Sequence, residues 1–440
     1  MLKAEGTIEK HVVGSVTESL VADPVAPEDY ARLTEIFENP SLQMVTFTIT
    51  EKGYSLVNGK GEKLPGVEDG FLAGPGNQSH LMGRIASLCY ARFVKNGTPL
   101  ALVSTDNCSH NGDKLKAGVM AYVDAWKQAG KVDDDFVSYM EEKVSFPWSM
   151  IDKITPRPDE KVKEMLEKDG FEDTDLIITS RNTYTAPFVN SEETGYLVIE
   201  DNFPNGRPPL EKAGIVFTDR ETVDKVEKMK VCTCLNPLHT ALAIYGCMLG
   251  HTSIHDEMED KELSQLIQKM CYEEAMSVVV NPGVIDPKEF ANAVLTKRLP
   301  NPFMPDTPQR IACDTSQKLP IRFGETIKFY ENREDLDTKS LTLIPLVLAG
   351  WCRYLMGIDD EGNAFEQSPD PRLDEVKAHV AGISFGDTDV HDKLQPILSD
   401  ASIFAVDLYS VSLGEKVEKM FVELIAGKGA IRSTLKKYVD

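Results

Sequence analysis

The 440-residue chain reads as an α/β domain followed by a mostly α-helical one. In the first half, short β-branched and apolar runs alternate with helix-length amphipathic stretches. From about residue 219 onward nearly every apolar pattern has helical spacing. Strand and helix in alternation is the pattern of parallel βαβ units, whose crossover helices cover the sheet. With 42% hydrophobic and 27% charged residues the composition is globular, and the length suffices for two cores.

The run "LQMVTFTIT" (42–50) is β-branched and aromatic and ends in "EKGY", a strand leading into a loop. "SHLMGRIASLCYARFVKNG" (79–97) has helical spacing, and "PLALVSTDN" (99–107) is a second apolar strand. "HNGDKLKAGVMAYVDAWKQAG" (110–130) is a further helix, closed by Gly130. "VSFPWSMIDKITPRP" (144–158) is loop-like, and "YLVIEDNFPNGRPP" (196–209) is a strand running into a polar turn. Beyond it, helices are expected at 221–235, 238–249, 258–278, 287–297, 306–314, 321–331, 337–356, 372–381, 391–398 and 414–426. No G-x-G-x-x-G occurs. "GKGEKLPG" (59–66) and "GPGNQ" (74–78) have the wrong spacing and are expected to be surface loops with no helix behind them.

The net charge of −23 argues against non-specific binding to nucleic acid or to an anionic membrane. A small anionic ligand stays compatible, because one basic pocket suffices for it. Eight scattered cysteines show no disulfide framework, and the start "MLKAEGTIEK" has no apolar signal core, so a reduced cytoplasm is expected. The longest apolar run, "LTLIPLVLAGW" (341–351), is too short to span a bilayer.

Three stretches carry more polar chemistry than packing requires. "STDNCSHNG" (104–112) places Asp106, Asn107 and Asn111 at the carboxyl end of a strand, where open parallel sheets bind ligands. An Asx turn capping the next helix explains the same residues equally well. In "RLPNPFMPDTPQRIACDTSQKLP" (298–320), Arg310 and Lys318 lie eight residues apart. On one continuous helix that is about two turns, so both cations would share a face suited to a carboxylate or polyol. A solvated salt-bridge ladder with Asp306 and Asp314 is the competing reading.

The third stretch, "KVCTCLNPLHTALAIYG" (230–246), sets Lys230, Asn236 and His239 in an apolar run. Zinc on Cys232, Cys234 and His239 is disfavoured, because C-x-C on a helix points its thiols about 200° apart. The cysteines read as small buried apolar residues. His251 and His255 could face one ligand, but with no third ligand in evidence they read as a helix-end pair.

Taken in order, these stretches resemble the polyol-specific long-chain dehydrogenases, a family that includes mannitol 2-dehydrogenase, fructuronate reductase and tagaturonate reductase. "VVGSVTESL" (12–20) and "MVTFTITEKGY" (44–54) are similar to later strands of the family's nucleotide-binding domain. "STDNCSHNG" resembles its S-x-D-N…N-G segment, "FPWSMIDKITP" (146–156) its F-P-x-S-M-x-D-x-I-T-P signature, and "VIEDNFPNGRPP" (198–209) its linking strand. "DTPQRIACDTSQKLP" (306–320) resembles its D-T-x-x-R…S-x-K-x-P run.

The resemblance implies an incomplete Rossmann-like domain over 1–218 and a helical substrate-binding domain over 219–440. It implies a zinc-independent enzyme using NAD, with NADP possible. Lys230 becomes the general acid/base, and Asn107 and Asn236 donate to the reacting oxygen. His239, Asp152, Arg310 and Lys318 shape the substrate pocket, and Glu51, Asp106 and Asn107 fall to the cofactor side. Within the family the basic Arg310 and Lys318 favour the hexuronate branch, D-fructuronate reduced to D-mannonate with NADH. Mannitol 2-dehydrogenase activity is the runner-up, and a non-catalytic sugar-acid-binding protein the alternative from another class. A small-molecule substrate and a monomer or homodimer are expected, with no nucleic-acid or membrane partner.

The chain departs from the family in two places. Lys230 precedes Asn236 by six residues where the family has five, an offset of about 100° that requires a bulge or break in the helix. The first matched segment lies inside the nucleotide domain, so roughly 60 or more residues of βαβ structure are expected to be lacking. The chain as written is then expected to bind dinucleotide poorly.

Overall fold

The computed structural model describes residues 1, 3, 5–178, 184–304 and 306–440. They form two compact units: Lys10–Lys153 with Gly195–Glu227, and Met1–Glu9 with Ile154–Thr194 and Lys228–Asp440. The expected cut after residue 218 thus lies after 227, and 154–194 joins the helical unit. Strand pairing explains the excursion: Ser149–Asp152 lies antiparallel to Tyr196–Glu200, so the chain leaves its sheet at one and re-enters at the other.

In the α/β unit, Met44–Phe47, Leu100–Ser104 and Val144–Ser145 form a parallel sheet in that order. The helix Leu81–Lys95 connects the first two, which is the expected strand–helix–strand unit. Every residue of the central strand is buried. Leu100 and Leu102 face the main core with Val119 and Trp126, while Ala101 and Val103 pack with Ile199 on the other side. That two-sided burial is why "LALVS" reads as an unbroken apolar run, with alternate side chains dealt to opposite faces. Arg92 staples this unit, donating to the carbonyls of Thr98, Phe37, Asn39, Leu42 and Pro99 at 2.6–3.0 Å.

Two expectations fail here. Residues 12–20 form no strand, and Val12, Val13 and Val16 are 93%, 71% and 70% exposed. The β-branched pattern supplied local propensity, but no neighbouring strand supplies the ladder that propensity needs. A short helix, Val67–Ala73, does follow the glycine-rich 59–66, its turn made by Gly66 at φ +77°.

The helical unit is built around Asn236–Leu249 and Leu343–Tyr354, both almost wholly buried. The Tyr245 hydroxyl donates to the Leu346 carbonyl at 2.7 Å, with Gly350 leaving room for its ring. The run 220–249 is long and apolar enough to cross a membrane, yet 83% of its apolar window is buried, as in a core helix. Several helices pass through π turns, among them Met229–Cys234 and Pro320–Gly324.

Candidate active site

Within the helical unit, Lys230 lies on the π turn Met229–Cys234 and is 1% exposed. The Leu235 N–H donates to the Lys230 carbonyl, five residues back, at 3.1 Å. A π turn takes in one residue more than an α turn, so it absorbs the sixth residue and cancels the rotation of about 100°. The expected bulge is therefore present. A break follows at Leu235 (φ −134°, ψ −63°), just before Asn236. Asn236 and Pro237 open the next helix, where proline's missing N–H is harmless.

Asn236 and His239 sit three residues apart on that helix and so share a face. The Asn236 carbonyl accepts from the Thr240 hydroxyl at 2.9 Å, while its side-chain amide has no hydrogen-bond partner among the described residues. His239 Nε2 lies 3.3 Å from Asp306 Oδ2. Burial pulls the His239 pKa below its usual value despite Asp306, and the charges of Arg322 and Arg310 add to the lowering. Burial alone would raise Asp306, but His239 and Arg310 outweigh it and hold the carboxyl low. The pair is thus a neutral imidazole against a carboxylate.

Arg310 and Lys318 do not share a helix face. Pro308–Ile311 and Thr315–Leu319 are separate helices, divided at Asp314 in the left-handed region (φ +54°). The sequence between them has helical spacing, but one residue at positive φ redirects the chain. Arg310 is 64% exposed and its Nε donates to Asp306 Oδ1 at 2.8 Å. The Lys318 ammonium turns back onto the carbonyls of Ile311, at 3.1 Å, and Cys313. It caps the preceding turn, and burial lowers its pKa. A cavity of about 1060 Å³ opens on Asp306 and Arg310, walled also by Arg157, Lys161 and Phe303; neither Lys230 nor Asn236 lines it.

In the α/β unit, Glu51, Asp106 and Asn107 gather at the carboxyl ends of adjacent parallel strands, where the fold places ligands. Asp106 is not open to a ligand, however. Its oxygens accept from the N–H groups of Ile49 (2.9 Å) and Thr50 (2.8 Å) and from the Tyr54 hydroxyl. It holds the turn that carries Glu51. Asn111 points inward and ties Ser104 and Asp106 to Ser149, so it serves the turn rather than a ligand. Asn107 is exposed, and Glu51 pairs with Lys114 at 2.5 Å. Asp152 ends the strand Ser149–Asp152 and is 6% exposed.

Cys232 and Cys234 are buried and outside any disulfide, with Cys234 pushed up to about 11 by burial, as packing residues should be. His251 contacts Asp260 and His255 the Pro300 carbonyl, so the two histidines face different partners. Thr240 and Arg322 escaped the sequence reading. The spacing Lys318-x-x-x-Arg322 was the available signal, since i and i+4 meet on a helix.

Two family models match the chain: one described as the mannitol dehydrogenase Rossmann domain, over residues 3–212, and one as the mannitol dehydrogenase C-terminal domain, over 222–424. The chain belongs to the mannitol dehydrogenase family. It is an oxidoreductase of that family, with a Rossmann-like domain followed by a helical one. It is 53% identical over 441 residues to a D-mannonate oxidoreductase of Thermotoga maritima, covering 100% of this chain and 81% of that one. It is 31% identical to mannitol dehydrogenase 2 of Saccharomyces cerevisiae, over 87% and 71% of the two chains. Among solved structures it is similar to a Pseudomonas fluorescens mannitol 2-dehydrogenase in ternary complex with NAD and D-mannitol, with a TM-score of 0.66, 25% identity and coverage of 97% and 79%. A substrate-free D-sorbitol dehydrogenase shares the fold, with a TM-score of 0.74, 23% identity and coverage of 94% and 78%. These matches lend no support to the expected loss of the front of the first domain.

Proposed function

We propose that this oxidoreductase interconverts a keto-sugar acid and its sugar acid with NAD, reducing D-fructuronate to D-mannonate. The observation that supports the chemistry is the π turn Met229–Cys234, which absorbs the extra residue between Lys230 and Asn236 and so favours Lys230 as the acid/base. The 53% likeness to a D-mannonate oxidoreductase supports the choice of substrate. The carboxyl ends of the parallel strands, with exposed Asn107 and the turn bearing Glu51, fit a dinucleotide.

When bound, the reduced nicotinamide supplies the hydride to the substrate's carbonyl carbon. As the carbon–oxygen double bond opens, the oxygen gains charge. The open amide of Asn236 donates to that oxygen and is preorganised for it by the helix start. Lys230, as ammonium, delivers the proton that completes the alcohol; in the reverse direction its neutral amine removes that proton. His239, kept neutral with Nε2 turned to Asp306, has Nδ1 left to accept from a substrate hydroxyl and adds no positive charge to the site. None of the eight cysteines forms a disulfide, which supports a cytoplasmic enzyme; a monomer or homodimer is part of this proposal.

Steady-state kinetics with NADH on D-fructuronate, D-tagaturonate and D-fructose test the substrate, with the highest kcat/KM expected for D-fructuronate. A clear preference for D-fructose would overturn that choice in favour of the polyol reaction. Lys230→Ala is expected to lower kcat about 10²- to 10⁴-fold, the range for a lost general acid/base. Near-normal activity in that variant would remove Lys230 from the mechanism.

A further inference from the structure

Three arginines inside the protein are each held by two or more acceptor atoms. Arg92 reaches five carbonyls. Arg353 donates to the carbonyls of Leu424, Ile358 and Asp359 at 3.4, 2.6 and 3.0 Å. Arg298 forks onto Glu192 at 3.0 and 2.8 Å. Arg322 is different. It lies partly buried on the π turn Pro320–Gly324, and its one side-chain partner among the described residues is the Thr240 hydroxyl. No carboxylate pairs with it there, and burial alone lowers its pKa, to about 10.

A guanidinium carries five N–H donors in a planar fork. Taking such a group from water without a counter-charge is unfavourable unless a ligand brings one. The position of Arg322 says where that ligand sits. Its partner Thr240 donates in turn to the Asn236 carbonyl, so Arg322 is one hydroxyl away from the proposed oxygen donor. Its charge also reaches His239 and lowers that imidazole. The two cations expected to bind a carboxylate are engaged elsewhere, Arg310 on Asp306 and Lys318 on backbone carbonyls.

We propose that Arg322 reads the carboxylate of the sugar-acid substrate, through the donors left open beside Asn236 and His239. This rests on the sugar-acid reading above. A carboxylate matches the fork in two parallel hydrogen bonds, which a hydroxyl of a neutral sugar cannot do. Arg322 is then the group that separates sugar acids from neutral ketoses, with Lys318 contributing field rather than contact.

The test compares kcat/KM for D-fructuronate and D-fructose in the wild type, Arg322→Leu and Arg322→Lys, with NADH dissociation constants and thermal midpoints measured on the same samples. In Arg322→Leu the acid-to-ketose ratio is expected to fall about 10- to 100-fold, the equivalent of one charged hydrogen-bonded contact. Arg322→Lys keeps the charge and loses the fork, so an intermediate fall is expected; it carries the test if the leucine variant does not fold. An unchanged ratio in a folded variant that still prefers the acid overturns the role of Arg322 and leaves the sugar-acid reading standing. Weakened NADH binding at an unchanged ratio also overturns it, in favour of a cofactor contact. A wild type with no preference for the acid overturns both.

Discussion

Glu257→Gln is expected to make the helical unit progressively more stable than the wild type as pH rises from 5 to 7. Glu257 is 0% exposed, and neither of its carboxyl oxygens has a hydrogen-bond partner among the described residues. It presses so closely on the helix Asn236–Leu249 that a Cβ at Gly246 would stand 1.4 Å from its Oε1. Burial first, then the charges of Asp306, Asp260 and Asp256, hold its pKa well above the ordinary 4.5. An acid whose pKa is raised by folding binds its proton more tightly folded than unfolded. Its contribution is complete below the unfolded value and is lost as pH climbs above it, at up to about 1.4 kcal/mol per pH unit. Glutamine has the same shape and does not titrate, so the gap between variant and wild type should widen as pH rises, with a slope of at most about 1.4 kcal/mol per pH unit. Glutamine's own burial adds a constant offset, which is why the slope is the readout. Urea unfolding at pH 5, 6 and 7, followed by circular dichroism, measures it. Parallel curves, with a gap that stays constant across the range, would refute the reasoning.

The lowered His239 pKa has the opposite sign. A base depressed by folding contributes fully above its unfolded value of 6.5 and loses stability as pH falls below it, so NMR titration of its ring should show a midpoint under 6.5; one at or above 6.5 would contradict the neutral pair with Asp306. Arg298→Met removes the cationic partner of Glu192, which is 2% exposed and still accepts from the Ile154 N–H at 2.7 Å, and should cost about 3–5 kcal/mol in unfolding free energy. Adding Glu192→Leu should recover much of that loss, and a double variant no better than the single one would show that the pair's desolvation is not the cause.

Much of the candidate site's local geometry was visible in the sequence because its information is local. Asn236 and His239 are three apart at a proline-marked helix start, so their common face follows from helix geometry. The six-residue gap between Lys230 and Asn236 announced a bulge, because a helix admits an extra residue in few ways. Arg310 and Lys318 misled for the converse reason. Their spacing was right for a helix, but the positive φ of Asp314, a property of one residue's backbone, separated them. Asp106 looked like a ligand and proved a support, since the donors it meets come from Ile49, Thr50 and Tyr54, more than fifty positions away.

The sequence alone determined the parallel strand–helix–strand unit and the helical second half, both written in short-range periodicity, while its motifs carried the resemblance to the family and the residue types of the candidate site. Tertiary structure alone decided which charges are satisfied. Arg92, Arg298, Arg322 and Arg353 are the same residue in the sequence, and only packing against other segments gives three of them two or more acceptor atoms each and leaves the fourth with one among the described residues. A side chain's spare hydrogen-bonding capacity is set by what folding brings to it from far along the chain, and local pattern carries no record of that.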